Sequence, residues 1–293
     1  MKKLLPLLLA LALPAHAANW LLAADGSGQS LANNGAKAKI TDADLPNNTL
    51  LVTVENAADH TLVLGRHTTD YAKANTTARS DRNAEYSGPV DLTKPIYAAG
   101  DDTPWTIVRV ANMAFYNNKA LLSAPDGILD LTTVTNIGIG AFGNVTAMPG
   151  FRLSPRLERV GASAFMSAFG TASFAPQLPA SLKVVETAAF AHNDQYDTGL
   201  AMALAGEIEL RGVEVIQSGA FHWAEHVSAI TVGPRLVELG RQGVNVRQKA
   251  VTQGPFEACY ALRSVTWLGP APTNTIQKRT FYSSQASTLT NWV

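Results

Sequence analysis

Apolar positions along the chain follow a long period. A phenylalanine preceded by a small residue recurs at Ala114-Phe115, Ala141-Phe142, Ala164-Phe165, Ala189-Phe190 and Ala220-Phe221, with looser copies at Pro255-Phe256 and Thr280-Phe281. The steps between these phenylalanines are 27, 23, 25, 31, 35 and 25 residues. Ala168-Phe169 and Ser173-Phe174 repeat the dipeptide off this spacing, so the dipeptide alone is not diagnostic. Register of other positions is the stronger test. Five residues before each phenylalanine stands a β-branched aliphatic: Val110, Ile137, Val160, Val185, Ile216, Val251 and Ile276. Three residues earlier, several turns carry a second apolar side chain, as at Val134, Leu157, Leu182 and Val213. Six residues after the phenylalanine another follows, as at Leu121, Met148, Tyr196, Val227 and Leu262. Val227, Ile230 and Val232, like Leu262, Val265 and Trp267, end in the period-two alternation of a half-buried strand.

A fixed offset repeated every two dozen residues or so is the signature of turns that cannot bury an apolar side alone and share one interior when stacked. The pattern therefore predicts a β-rich solenoid with short strands, corners built on Ala-Phe and the rings as filling. Each buried ring would contribute about 1.5–3 kcal/mol. Two residues before the aliphatic anchor, successive turns carry Thr135, Glu158, Lys183 and Glu214, a column in which opposite charges become neighbours if turns stack as strands.

Residues 18 to 88 lack the signature. Thr49–Val54 and Thr61–Leu64 read as two strands of a hairpin, and 68–87, rich in Thr, Asn, Asp and Ser, reads as loop. Pro89-Val90-Asp91-Leu92 is similar to Ile128-Leu129-Asp130-Leu131, so the first stacked strand is expected near Val90. The organisation expected is 1–17 leader, 18–88 a β cap over the end of the stack or a small β module with its own ligand, and 89–293 about seven turns. Two turns are lengthened. The first insert, 195–207, includes Leu200–Ala205, which reads as a short helix. The second, 240–253, carries Arg241, Arg247 and Lys249, a local basic cluster that is either a contact site or a solvated loop. Trp292 stands at the offset from Phe281 that Trp267 has from Phe256, so either a last strand closes the stack or the chain is a piece of a longer one.

The motifs Ile137-Gly138-Ile139-Gly140-Ala141-Phe142, Val160-Gly161-Ala162-Ser163-Ala164-Phe165 and Ile216-Gln217-Ser218-Gly219-Ala220-Phe221 resemble the BspA-like leucine-rich repeats, also called the Treponema pallidum type. So does Phe256-Glu257-Ala258-Cys259-Tyr260-Ala261-Leu262-Arg263-Ser264-Val265, with the Cys three residues after the Phe and the Leu-x-x-Val seen in that family. Trp267-Leu268-Gly269-Pro270-Ala271-Pro272 with Ile276 and Thr280-Phe281-Tyr282 is similar to its late repeats. The resemblance covers about residues 89 to 293. It implies a right-handed leucine-rich-repeat stack, exposure at a bacterial surface, and binding of a protein or host matrix. It also implies that Cys259 is a structural corner residue. At the same offset other turns carry Asn118, Val145, Ala168, Asn193, Ala224 and Ser284, a departure from the family pattern.

Composition narrows the function classes. Lys2 and Lys3, the apolar run Leu4–Leu13 and the small-x-small site Ala15-His16-Ala17 read as an export signal, with a buried N-terminal helix as the alternative. The run is too short to span a bilayer, no later stretch qualifies, and no Cys stands near the cut to take a lipid. The expected location is the cell surface, periplasm or extracellular space. Lys plus Arg and Asp plus Glu both number 23, and losing the leader leaves a slight acidic excess. That balance argues against nucleic acid and gives no electrostatic reason to bind anionic lipid. The single cysteine forms no internal disulfide and no Cys-rich zinc site.

A search for chemistry returns little. His222 and His226 have the spacing of two helix ligands, but Trp223 stands where the glutamate of a zinc-protease motif would. Gly26-Ser27-Gly28 lacks the lysine of a phosphate loop and reads as a turn. Asp101 with Asp102, and Asp194 with Asp197, lack the spaced ligand set of a calcium loop. Trp223 and Trp267 stand at stack positions, where they serve either as partner contacts or as filling. No metal, cofactor or catalytic set is expected. The first expectation is a non-catalytic adhesion or binding protein. Its partner would be a protein or surface glycan of a host or neighbouring cell, met through Arg241, Arg247, Lys249, Trp223 and Trp267. The alternatives are a structural spacer and an accessory segment of a larger exported protein, an enzyme included.

Overall fold

The computed structural model describes residues 19–45, 47–66, 83, 86, 89–118, 122–123, 129–145, 150–168, 177–192, 204–245, 247, 249–270 and 279–282. The expected leader, Ile276, Trp292 and most of 68–87 and of the 195–207 insert lie outside the described residues. Within them the fold is β and turn, with no α-helix.

Four antiparallel strands open the chain: β1 (Trp20–Ala24), β2 (Lys37–Asp42), β3 (Thr49–Asn56) and β4 (Thr61–Leu64). Alternation places Trp20 and Leu22, Ala38 and Ile40, and Leu50, Val52 and Val54 in the core. The expected hairpin is β3 and β4. Two short strands follow, β5 (Pro89–Val90) and β6 (Ile96–Ala98), and β6 lies parallel to β1.

From β4 the sheet changes character. β7 (Thr106–Val110) pairs with β4 in parallel and begins a ladder. β8 (Leu122–Ser123) pairs with β5, and β9 (Leu129–Leu131) pairs with β11 (Phe151–Leu153), as two separate two-stranded parallel sheets. The ladder continues through β10 (Asn136–Ile137), β12 (Arg159–Val160), β13 (Val184–Val185), β15 (Val215–Gln217) and β17 (Glu238–Arg241). β14 (Ala205–Leu210), β16 (His226–Val232) and β18 (Ser264–Trp267) form a further parallel sheet of three strands. One sheet of eleven strands therefore runs β17-β15-β13-β12-β10-β7-β4-β3-β2-β1-β6 without a break.

The register of the ladder is Val110, Ile137, Val160, Val185, Ile216 and Leu239. Five of these are the expected anchors. The sixth is a correction: Leu239, fully buried, takes the place that counting back from Phe256 assigns to Val251. The reason is where the insert sits. It lies between the strand and the Phe corner, so a fixed offset from the Phe lands in the loop. The apolar position three residues before the anchor is buried in every described turn: Ile107, Val134, Leu157, Leu182, Val213 and Leu236. A second correction concerns Leu200–Ala205. Ala205 begins β14 and Leu204 forms a bridge, so the end of that segment is extended rather than helical.

The seven phenylalanines form one column of rings. Successive centroids stand 5.4, 5.4, 5.3, 5.3, 5.4 and 5.6 Å apart from Phe115 to Phe281, with planes within 16° of parallel. From Phe115 to Phe256 each is at most 1% exposed. Phe151, from β11, adds a ring 4.4 Å from Phe165.

Corner backbones are tied along the same axis. Each Phe amide donates to the carbonyl of the residue before the next Phe: Phe115 to Ala141, Phe142 to Ala164, Phe165 to Ala189, Phe190 to Ala220, Phe221 to Pro255 and Phe256 to Thr280, at 2.7–3.0 Å. This alignment needs left-handed residues two before and two after the ring in several turns. Met113, Ser163 and Ala188 take that conformation before it, and Asn117, Asn144 and Ser167 after it. Such φ values strain residues other than glycine, and the axial hydrogen bonds offset the strain. Glycine is required where turns come closest: a Cβ on Gly161 would lie 2.8 Å from the Gly138 carbonyl carbon. Amides three residues before the ring are met by side chains instead. Ile139 donates to Asn112 at 2.9 Å, Ala162 to Glu186 at 2.8 Å and Thr187 to Gln217 at 3.1 Å. The charge column forms as expected, with Lys183 Nζ 2.9 Å from Glu158 Oε1 and the backbones of Thr135, Glu158, Lys183 and Glu214 bonded in sequence.

Candidate functional site

The described residues of the second insert pair as a hairpin. Val244 and Ala250 form an antiparallel bridge, and the Val251 amide donates to the Gly243 carbonyl at 3.0 Å. At the tip, Asn245 Oδ1 accepts the amides of Arg247 and Lys249 at 2.8 and 3.2 Å, while the Asn245 amide donates to the Lys249 carbonyl at 2.9 Å. The root is held by the Gly243 amide, which donates to Ser218 Oγ at 3.2 Å. Gly243 presses so close to Thr187 that a Cβ there would stand 2.0 Å from its hydroxyl. Val251 is buried, its Cγ1 seated 2.9 Å from where Gly219 would carry a Cβ.

This hairpin leans over the outer side of the corners and encloses a cleft of about 300 Å³. Met166, Ala188, Ala191 and Val251 supply apolar lining, and His192, His222, Asn245, Arg247, Lys249 and Gln253 supply polar lining. The repeat explains the space. Residues one after and two before each ring face outward at the corner. Before the ring these are Met113, Gly140 and Ser163 and after it Tyr116, Gly143 and Met166 in the first three turns; Ala188, Ala191, Gly219 and His222 follow beneath the hairpin. Small side chains thus leave a hollow that the hairpin roofs. No Asp or Glu is among the described lining residues, so two cations face the hollow beside two imidazoles and two amides.

The expected site residues separate. Arg247, half-buried, and Lys249, exposed, line the cleft. Arg241 does not; it extends from β17, largely exposed, with Glu238 3.4 Å away. Trp223 sits behind the cleft. Its ring lies 6.1 Å from His192, near parallel, and 5.8 Å from His222, tilted. Trp267 is a correction to the expected contact set: it is 8% exposed and packed in the main core, because β18 turns its alternate side chains inward. His222 and His226 diverge, the first lining the cleft and the second opening β16 on the exposed side.

Asn245 and Gln253 escaped the sequence reading, and His222 entered it only as a metal-ligand spacing. One signal for His222 was available: with Met166 and Ala191 it occupies the position just after the ring.

Other candidate groups are structural. Cys259 is fully buried, and its Sγ donates to the Phe221 carbonyl at 3.2 Å. Burial pushes its thiol up to about 12, outweighing a backbone hydrogen bond at Ala224 that lowers it. Asn118, at the same offset in the first Phe turn, uses its amide to bind the carbonyls of Asn83 and Tyr86 at 2.7 and 2.9 Å. Asp101 accepts from the Thr103 amide and contacts His60, and Ser27 donates to Asp25 between two left-handed glycines, so both are turn devices. Among the described residues no helix is long and apolar enough to cross a membrane.

No protein-family model matches the sequence, nor does any curated protein. Among solved structures, a leucine-rich cell surface protein from Faecalibacterium prausnitzii is 13% identical. The alignment spans 81% of this chain and 94% of that one, with a TM-score of 0.19, a level at which the likeness carries no argument.

Proposed function

We propose that this chain is an exported, non-catalytic binding protein of the bacterial envelope. Residues 89–293 are read as a right-handed solenoid of BspA-like leucine-rich repeats, and the N-terminal antiparallel strands as the cap over its first turn. The parallel pairing of β4 with β7 supports the cap reading. The column of seven rings and the axial corner hydrogen bonds support the solenoid.

The observation that carries the binding role is the cleft. A hairpin inserted into one turn is held at its root and by its described tip residues, and it brings two cations over a hollow at the corners. Insertions on a rigid scaffold that stay ordered and concave are where partners bind. The partner class is a surface glycan or protein of a host or neighbouring cell, and the role is adhesion.

The test is binding of the purified, fluorescently labelled chain to an array of surface glycans and matrix proteins at physiological salt. Saturable binding to a restricted set is expected. Uniformly null binding on the array overturns the reading and leaves a spacer, the role that needs no site.

A further inference from the structure

The cleft is specific enough to name a ligand chemistry. Resting on the binding role above, we propose that it takes one acidic sugar unit, a monosaccharide-sized ring bearing a carboxylate, at the end or branch of a surface glycan. Four observations converge on this class.

The first is charge. Arg247 and Lys249 approach the hollow from the hairpin, and no described lining residue is acidic. An anion entering it meets two positive groups and, among the described lining residues, no carboxylate. A guanidinium beside an ammonium is a fitting reception for a carboxylate, since charge-assisted hydrogen bonds are the stronger kind. The second is the distribution of neutral polar groups. His192 and His222 on the corner and Asn245 and Gln253 on the hairpin spread donors and acceptors around the hollow, as a ring of hydroxyls needs. The third is the apolar side formed by Ala188, Ala191 and Val251. It is low and free of aromatic bulk, and suits the C–H face of a sugar ring.

The fourth observation concerns the backbone and decides against an extended acidic peptide. A peptide adding to a sheet needs unsatisfied main-chain groups along an edge. Here the amides of Ala188, Ala191, His192, His222, Asn245 and Val251 already donate to main-chain carbonyls. Recognition in the cleft therefore falls to side chains around a compact guest. The volume, about 300 Å³, stands at the lower end of ligand sites and fits one ring rather than a chain.

Affinity arises from a pre-built site. The Asn245 carboxamide oxygen holds the amides of the two residues that carry the charges, so little of the hairpin must be ordered on binding. Trp223 contributes indirectly as a positioning residue, its ring packed against both imidazoles.

The experiment is calorimetric titration of the purified full chain with glucuronic acid and with N-acetylneuraminic acid, each beside glucose, acetate, inorganic phosphate and a triglutamate peptide. At least one of the two acidic sugars is expected to bind about tenfold or more tightly than glucose and the small anions. The double variant Arg247→Gln with Lys249→Gln is expected to lose that binding by about tenfold or more while keeping the wild-type Tm, and Arg241→Gln to keep both. The proposal is overturned if neither acidic sugar exceeds glucose, if acetate, phosphate or triglutamate binds as well, or if the double variant binds like wild type. Should that variant melt early, Arg247→Lys with Lys249→Arg, which keeps the charge, is expected to retain binding, and its loss overturns the proposal. The wider binding role fails separately: array partners that persist with the double variant sink the cleft assignment alone.

Discussion

Replacing Phe165 by alanine removes a ring from the middle of the column. Phe165 is fully buried and touches three other described rings, with Phe142 at 5.4 Å, Phe190 at 5.3 Å and Phe151 at 4.4 Å. Burial of the side chain accounts for about 1.5–3 kcal/mol, and the void left behind brings a Phe→Ala change to about 3–5 kcal/mol. The corner cannot collapse into that void, because the backbone on either side is fixed by the Phe142–Ala164 and Phe165–Ala189 hydrogen bonds. The upper half of the range is therefore expected. Phe281, at the far end, is only partly buried and stacks on one described ring, Phe256, so Phe281→Ala should cost about half as much or less. Urea unfolding followed by intrinsic fluorescence measures both, provided the transition is cooperative. At about 2–4 °C per kcal/mol, the Phe165 variant should melt roughly 8–20 °C early. A cost below about 1 kcal/mol, or one no larger than that of Phe281→Ala, refutes the shared-interior argument.

Three further outcomes are expected. Gly161→Ala forces a methyl to within 2.8 Å of the Gly138 backbone and should cost about 1–3 kcal/mol by urea unfolding, whereas Ala180→Gly in an exposed turn should cost well under 1. Cys259 should resist a thiol reagent at pH 8 in the native chain and react at once in urea. Because its folded value, about 12, lies above the unfolded one near 9, the associated stability is present below pH 9 and declines as pH rises from there. Asp130 is the acidic counterpart. Burial pushes its carboxyl up, but hydrogen bonds from Thr132 and Arg152 outweigh that and hold it below the usual value of 3.8, so its contribution is present above about pH 4 and fades as pH falls through the lowered value. Asp130→Asn should accordingly flatten the acid limb of a Tm-against-pH curve.

The interior of this molecule was legible in its sequence because the physics there is periodic. All seven ring positions and five of the seven anchors can be followed residue by residue into a column, since every turn must point the same side chain inward. Legibility ended where periodicity did. Val251 satisfied the offset rule yet lies in a hairpin, because an insertion between anchor and ring breaks the count. β1 and β2 escaped because Lys37-Ala38-Lys39-Ile40 alternates charge with one small and one large apolar residue, a weak period-two signal that acquires meaning only when β3 lies beside it. Arg247 and Lys249 were found as a charge cluster. Asn245 and Gln253 were not found at all, since a cleft is made by residues from different turns whose proximity no local spacing encodes. Arg241, six residues before Arg247, belonged to the same cluster in sequence and points elsewhere in space.

The central claim, that successive turns share one interior through a single file of rings, is tested most directly by double-mutant cycles on that file. Phe142→Ala with Phe165→Ala should show a coupling of about 0.5 kcal/mol or more, while Phe115→Ala with Phe221→Ala, separated by three intervening rings, should add within about 0.5 kcal/mol. Additivity for the neighbouring pair, or equal coupling for the distant one, would contradict the account.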